Sequence, residues 1–95
     1  MQTNKNRKTS RTEIIEQIRC LLEPWVIDAD LINKTDEKTN LIADLGLDSV
    51  SILQLILEIE RKFGISIKDH ELDSRTFSMM GNLMSIIERK IYEIN

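Results

Sequence analysis

Apolar residues recur at helical intervals in three separate stretches of this chain. Ile14, Ile15, Ile18, Leu21 and Leu22 form the first, and their spacing predicts an amphipathic helix over residues 11–23. Ser10 and Glu13 stand ahead of it at the spacing of a capping box, and Pro24 forces its end. The second stretch is the densest. Val50, Ile52, Leu53, Leu55, Ile56, Leu57, Ile59 and Phe63 fill an arc of roughly 220° on a helical wheel, leaving Ser51, Gln54, Glu58, Arg61 and Lys62 as a polar stripe. So wide an arc predicts a central helix buried by several neighbours. It starts at Ser49, with Gly46 in the turn before it, Asp48 as N-cap, and Leu47 and Ile52 in the two positions of a hydrophobic staple. Gly64 closes it as a C-cap. The third stretch, Met80, Leu83, Ile86, Ile87 and Ile91, predicts a last helix capped by Ser78, with Met79 and Met84 as gap-filling or rim residues.

Residues 24–47 lack a sustained period. Their apolar members (Trp25, Val26, Leu31, Ile32, Leu41, Ile42 and Leu45) come singly or in pairs between polar residues, the pattern of a long loop pinned repeatedly onto a helical core. Asp28-Ala29-Asp30 could open a calcium loop, but Asn33 stands where the glycine is required and the terminal Glu is missing. Ile65 and Ile67 read as an extended connection, and residues 69–75 as a single helical turn. The expected fold is therefore all-α: a small four-helix bundle with three main helices, one short helix and a long first loop. Residues 1–10 read as a disordered basic arm and residues 11–95 as one domain.

Composition narrows the function. Ninety-five residues with 41% hydrophobic content bury one modest core and leave little chain for a deep catalytic cleft. The net charge of −3 hides an asymmetry, since Lys5, Arg7, Lys8 and Arg11 face no acid before residue 13, and the rest of the chain sets 9 basic against 16 acidic residues. An acidic body is a poor match for nucleic acid, whose phosphates need a basic surface. No stretch has the roughly 20 continuous apolar residues of a membrane span. A lone cysteine, Cys20, rules out an internal disulfide, and the N-terminus has no apolar segment of signal-peptide type. A cytoplasmic monomer is expected.

Ser49 carries the candidate chemistry. A hydrolytic nucleophile elbow would read G-x-S-x-G, whereas the run here is Gly46-Leu47-Asp48-Ser49-Val50-Ser51, and the sole histidine, His70, is some twenty residues on. Asp44 and Asp48 have no surrounding chain from which to build an acid–base pocket. Modification suits Ser49 better than catalysis. In the first turn of a helix the N–H groups lack intrahelical partners and the macrodipole favours negative charge, so a phosphate ester is electrostatically welcome there.

The run from Leu41 to Ile67, and above all Asp44-Leu45-Gly46-Leu47-Asp48-Ser49, resembles the central segment and modification motif of acyl carrier proteins. The resemblance in helix and loop order extends over residues 11 to 92. It implies a four-helix bundle in which Ser49 receives 4′-phosphopantetheine from coenzyme A, through a separate phosphopantetheinyl transferase that recognises Asp48. Such a carrier holds acyl groups as thioesters, meets acyl-loading and acyl-processing enzymes in turn, and is not itself an enzyme. The apolar arc from Val50 to Phe63 would then border any space for an acyl chain.

Within that resemblance the partner face falls on Val50, Ser51, Gln54, Glu58 and Arg61. Carriers of primary fatty-acid synthesis are similar to one another in an acidic start to this helix, where this chain has Ser51 and Gln54, and Val50 replaces their more usual leucine. The spacing of Leu72, Phe77 and Leu83 resembles free-standing carriers of polyketide-like or aminoacyl pathways. These departures point to a dedicated, fatty-acid-like or polyketide-like carrier, with an aminoacyl or peptidyl carrier, or an unmodified helical interaction module, as alternatives.

Overall fold

The computed structural model describes residues 10–68 and 78–94. Within them the chain forms four helices: α1 (Arg11–Leu22), α2 (Ala29–Lys34), α3 (Ser49–Phe63) and α4 (Met80–Ile94). The expected arm before Ser10, the expected helical turn at 69–75 and the residues His70, Leu72 and Phe77 lie outside the described residues.

Ser10 caps α1 as its spacing suggests. Its hydroxyl accepts from the Glu13 N–H at 3.2 Å and donates to the Glu13 carboxylate at 3.5 Å. After Leu22 the chain folds back on itself around Pro24, with the Leu22 carbonyl accepting from both Trp25 and Val26. Ile14, Ile18 and Leu22 are fully buried, and α1 packs against α2, α3 and α4. Among the described residues α1 is thus the helix that packs against each of the others, where the sequence pattern suggested that place for the one beginning at Ser49.

Of its apolar arc, α3 buries Ile52, Leu55, Ile56 and Ile59, half-buries Phe63 and turns Val50, Leu53 and Leu57 outward. Val50, Leu53 and Leu57 are 62%, 50% and 57% exposed. The caps are as expected: Asp48 at the start, and Gly64 at the end in the left-handed conformation at φ 66°, where a Cβ would be strained.

The first connection also departs from expectation, because it contains α2. Asp28 caps this helix through its bond from the Asp30 N–H at 2.9 Å, which is the role the supposed calcium-loop aspartate fills. At six residues α2 is too short to show a helical period, and none of its residues is buried. Thr35 fastens its end: the buried hydroxyl donates to the Leu31 carbonyl, and the Thr35 carbonyl accepts two bonds from the Arg19 guanidinium at 3.2 and 2.6 Å. Of the apolar anchors expected in this connection, Val26 and Leu41 are buried, Trp25, Ile32 and Leu45 are half-buried, and Leu31 and Ile42 are exposed.

Beyond α2 the connection runs along the start of α4. Leu41 N–H donates to the Ser78 carbonyl at 2.6 Å, Met80 N–H to Thr39 at 2.9 Å and Gly81 N–H to Glu37 at 2.9 Å. Loop carbonyls therefore satisfy the first N–H groups of α4, which begins with Met79 at the cap position and Ser78 buried behind it. Arg11 braces the same seam, reaching Glu37 at 2.6 Å and Glu88 at 3.1 Å. The two carboxylates, Glu37 foremost, hold the Arg11 guanidinium above its ordinary pKa against the opposing effect of partial burial.

Candidate functional site

Residues 40–48 form the approach to α3. Asn40 opens a tight turn: its carboxamide oxygen accepts from the N–H groups of Ile42 and Ala43 at 2.9 and 2.8 Å. Asp44 N–H donates to the Asn40 carbonyl at 2.8 Å, and Gly46 N–H to the Ile42 carbonyl at 3.0 Å. Gly46 then takes φ 77° into open space, so the glycine answers the backbone conformation and not a lack of room. Leu47 returns to the core at 3% exposure, its N–H bonded to the Leu41 carbonyl at 3.0 Å. With Leu47 and Ile52 both buried in one core, the two staple positions fix the angle at which α3 leaves the turn.

Ser49 is the first residue of α3 and is exposed. Among the described residues its hydroxyl has no hydrogen-bond partner. Beside it, the Asp48 carboxylate accepts from the Ser51 N–H at 2.8 Å. That bond, with a further one from the Ser51 hydroxyl, holds the Asp48 carboxyl below the usual aspartate range. The site therefore presents a hydroxyl and an ionised carboxylate on adjacent residues at a helix N-terminus. Asp44, the first residue of the motif, is exposed, and its carboxylate accepts from the Asn40 N–H at 2.8 Å.

The residues assigned to the partner face from sequence share one side of α3 with others that the sequence placed in the core. Val50, Gln54 and Arg61 are exposed, while Ser51 and Glu58 are half-exposed. Glu58 pairs with Arg61 at 3.2 Å, and no acid lies in the first turn. Leu53 and Leu57 join Val50 to make an apolar stripe along this face. Sequence reasoning puts only Val50 of these three on the partner face and gives Leu53 and Leu57 to the interior alone. The spacing of 50, 53 and 57 is itself a helical face, and only the size of the bundle says that it stays uncovered.

Among the described residues no cluster of His, Cys, Asp and Glu could hold a metal ion, and no helix is long and apolar enough to cross a membrane. Cys20 is exposed on α1.

A family model described as a phosphopantetheine attachment site matches residues 27–84. The acyl carrier protein of Thermotoga maritima is 31% identical over 83 residues, covering 86% of this chain and 96% of that protein. The acyl carrier protein of Lactobacillus acidophilus is 32% identical over 80 residues, covering 83% of this chain and 94% of its own. The solved structure of an acyl carrier protein from Enterococcus faecalis has the same fold, with a TM-score of 0.66 at 22% identity over 85% of this chain and 98% of that one.

Proposed function

Since the chain belongs to the acyl carrier protein family, whose members carry covalent 4′-phosphopantetheine, we propose that Ser49 is its attachment residue and that it is a non-catalytic carrier for a dedicated, fatty-acid-like or polyketide-like pathway. The observation that carries this reading is the exposed Ser49 hydroxyl at the first position of α3, unpartnered among the described residues and next to the ionised Asp48. The prosthetic group supplies a thiol on a flexible arm, on which acyl groups are held as thioesters. The chain's own residues do three things for it. Asp48 fixes the start of α3, Leu47 anchors the approach, and the helix N-terminus favours the negative ester. Tethering replaces diffusion, because the arm raises the effective concentration of the cargo at each partner enzyme.

Partner choice rests on the outer face of α3. Its apolar stripe of Val50, Leu53 and Leu57 is small enough for brief contacts, and its first turn has no acid to attract a basic partner. This supports a pathway with its own processing enzymes.

The test is to incubate the apo protein with coenzyme A, magnesium and a broad-specificity phosphopantetheinyl transferase and to follow intact mass. The wild type should gain one phosphopantetheine, and the product should then accept an acyl group that hydroxylamine removes. Ser49→Ala should stay folded and gain nothing. A wild type that never gains mass would leave the unmodified interaction module as the better reading.

A further inference from the structure

The turn ahead of α3 is closed by two side chains that reach towards each other. The Asn40 carboxamide oxygen holds the N–H groups of Ile42 and Ala43, and the Asp44 carboxylate in return holds the Asn40 N–H, all at 2.8 to 2.9 Å. This is the logic of a capping box with the acid one residue later. Asn40 also ties the turn to the start of α4, since its carboxamide N–H donates to the Met79 sulfur at 3.7 Å and the adjacent Leu41 N–H donates to Ser78. The far end of the turn is Leu47, bonded back to Leu41. Ser49 is two residues beyond, so any loosening of the turn changes the direction in which its hydroxyl is offered.

We propose that Asn40 and Asp44 are positioning residues for the loading of Ser49, an inference that rests on Ser49 being the attachment residue. Their bonds keep the turn in the one form that presents the hydroxyl. A transferase that accepts only this form binds with an apparent affinity set by the fraction of carrier holding it. Asp44 thus acts inside the carrier, as an acceptor for a backbone N–H, and its negative charge is not what the transferase reads.

Steady-state transfer kinetics separate these roles, with the full chain as substrate and the wild type, Asn40→Ala, Asn40→Ser, Asp44→Ala and Asp44→Asn compared at low and high salt. Losing one cap should raise KM for the carrier by up to about fivefold while kcat stays unchanged. Asn40→Ser and Asp44→Asn retain an oxygen acceptor and should recover to within about twofold of the wild type, at either salt concentration. Amide exchange at Ile42 and Ala43 should quicken in Asn40→Ala alongside the rise in KM. The proposal is overturned if Asp44→Asn is as poor as Asp44→Ala and its defect fades at high salt, because a charge contact with the transferase behaves that way. Unchanged KM in both alanine variants overturns it too. Should Asn40→Ala fail to fold, the exposed Asp44 pair of variants decides the matter alone. A wild type that accepts no phosphopantetheine overturns the reading of Ser49 instead, so the two failures are distinguishable.

Discussion

Replacing Leu47 by alanine separates the anchoring of the site from the stability of the bundle. Leu47 is 3% exposed and precedes the Asp48 cap, whereas Leu55, at 0%, lies in the middle of the buried face of α3. Both substitutions delete the same atoms, and buried Leu→Ala changes cost about 2–5 kcal/mol according to how far the surroundings collapse. Leu47 adjoins a turn that can settle into the vacated space, which places it near the lower end, about 2–3 kcal/mol. Leu55 is held between helices and belongs nearer about 3–4 kcal/mol. At about 4–8 °C per kcal/mol for a domain of this size, Leu47→Ala should melt about 10–20 °C below the wild type. Thermal and urea unfolding followed by helical circular dichroism give these values. Transfer of phosphopantetheine is then measured at a temperature where all three proteins are folded. Leu47→Ala should lose up to about tenfold in kcat/KM, the limit that freeing the entry angle of α3 by about 1.4 kcal/mol sets on the population of the presented hydroxyl. Leu55→Ala should transfer at the wild-type rate. Equal transfer by both variants would refute the claim that the staple positions Ser49, and a stability loss below about 1 kcal/mol would refute the burial argument.

Three further outcomes follow from the same geometry. Asp48 should titrate by NMR with a midpoint below its ordinary 3.8; because its pKa is depressed on folding, the stability it contributes is fully present above that ordinary value and is lost as pH falls through the folded midpoint, so a midpoint at or above 3.8 would contradict the cap. Gly81→Ala should destabilise by about 1 kcal/mol despite the better helix propensity of alanine, since the added Cβ would lie 2.9 Å from the Glu37 carbonyl oxygen that accepts the Gly81 N–H; a raised melting temperature would show that the seam yields freely. Replacing Ser51 and Gln54 by Asp and Glu should speed elongation of a loaded acyl group by a ketosynthase of general fatty-acid synthesis, most visibly at low salt, and equal rates at every ionic strength would remove the main support for a dedicated pathway.

The parts of the molecule legible in the sequence are those governed by local spacing. Ser10, Asp48 and Gly64 sit where capping chemistry requires them, and α1, α3 and α4 follow from apolar periods long enough to recognise. The motif around Ser49 is legible through its resemblance to a known family. What escaped depends on distant partners. Arg11 meets Glu88 across 77 positions, and the loop carbonyls of Glu37 and Thr39 meet the first N–H groups of α4, with no nearby pattern to announce either. The outward stripe of Val50, Leu53 and Leu57 was hidden because an apolar residue has the same letter whether or not a neighbour covers it. Asn40 did leave a local signal, an N-capping residue four positions before Asp44, but in a turn too short to be read as an element.

The identity of the modified residue is the centre of the account, and one measurement reaches it directly. Cleavage after Lys38 and Arg61 releases a single peptide, residues 39–61, that contains both Ser49 and Ser51. Tandem mass spectrometry of that peptide from the modified wild type should place the phosphopantetheine on Ser49, with every fragment that holds Ser51 but not Ser49 unmodified. The group found on Ser51, or on any peptide other than this one, would contradict the assignment.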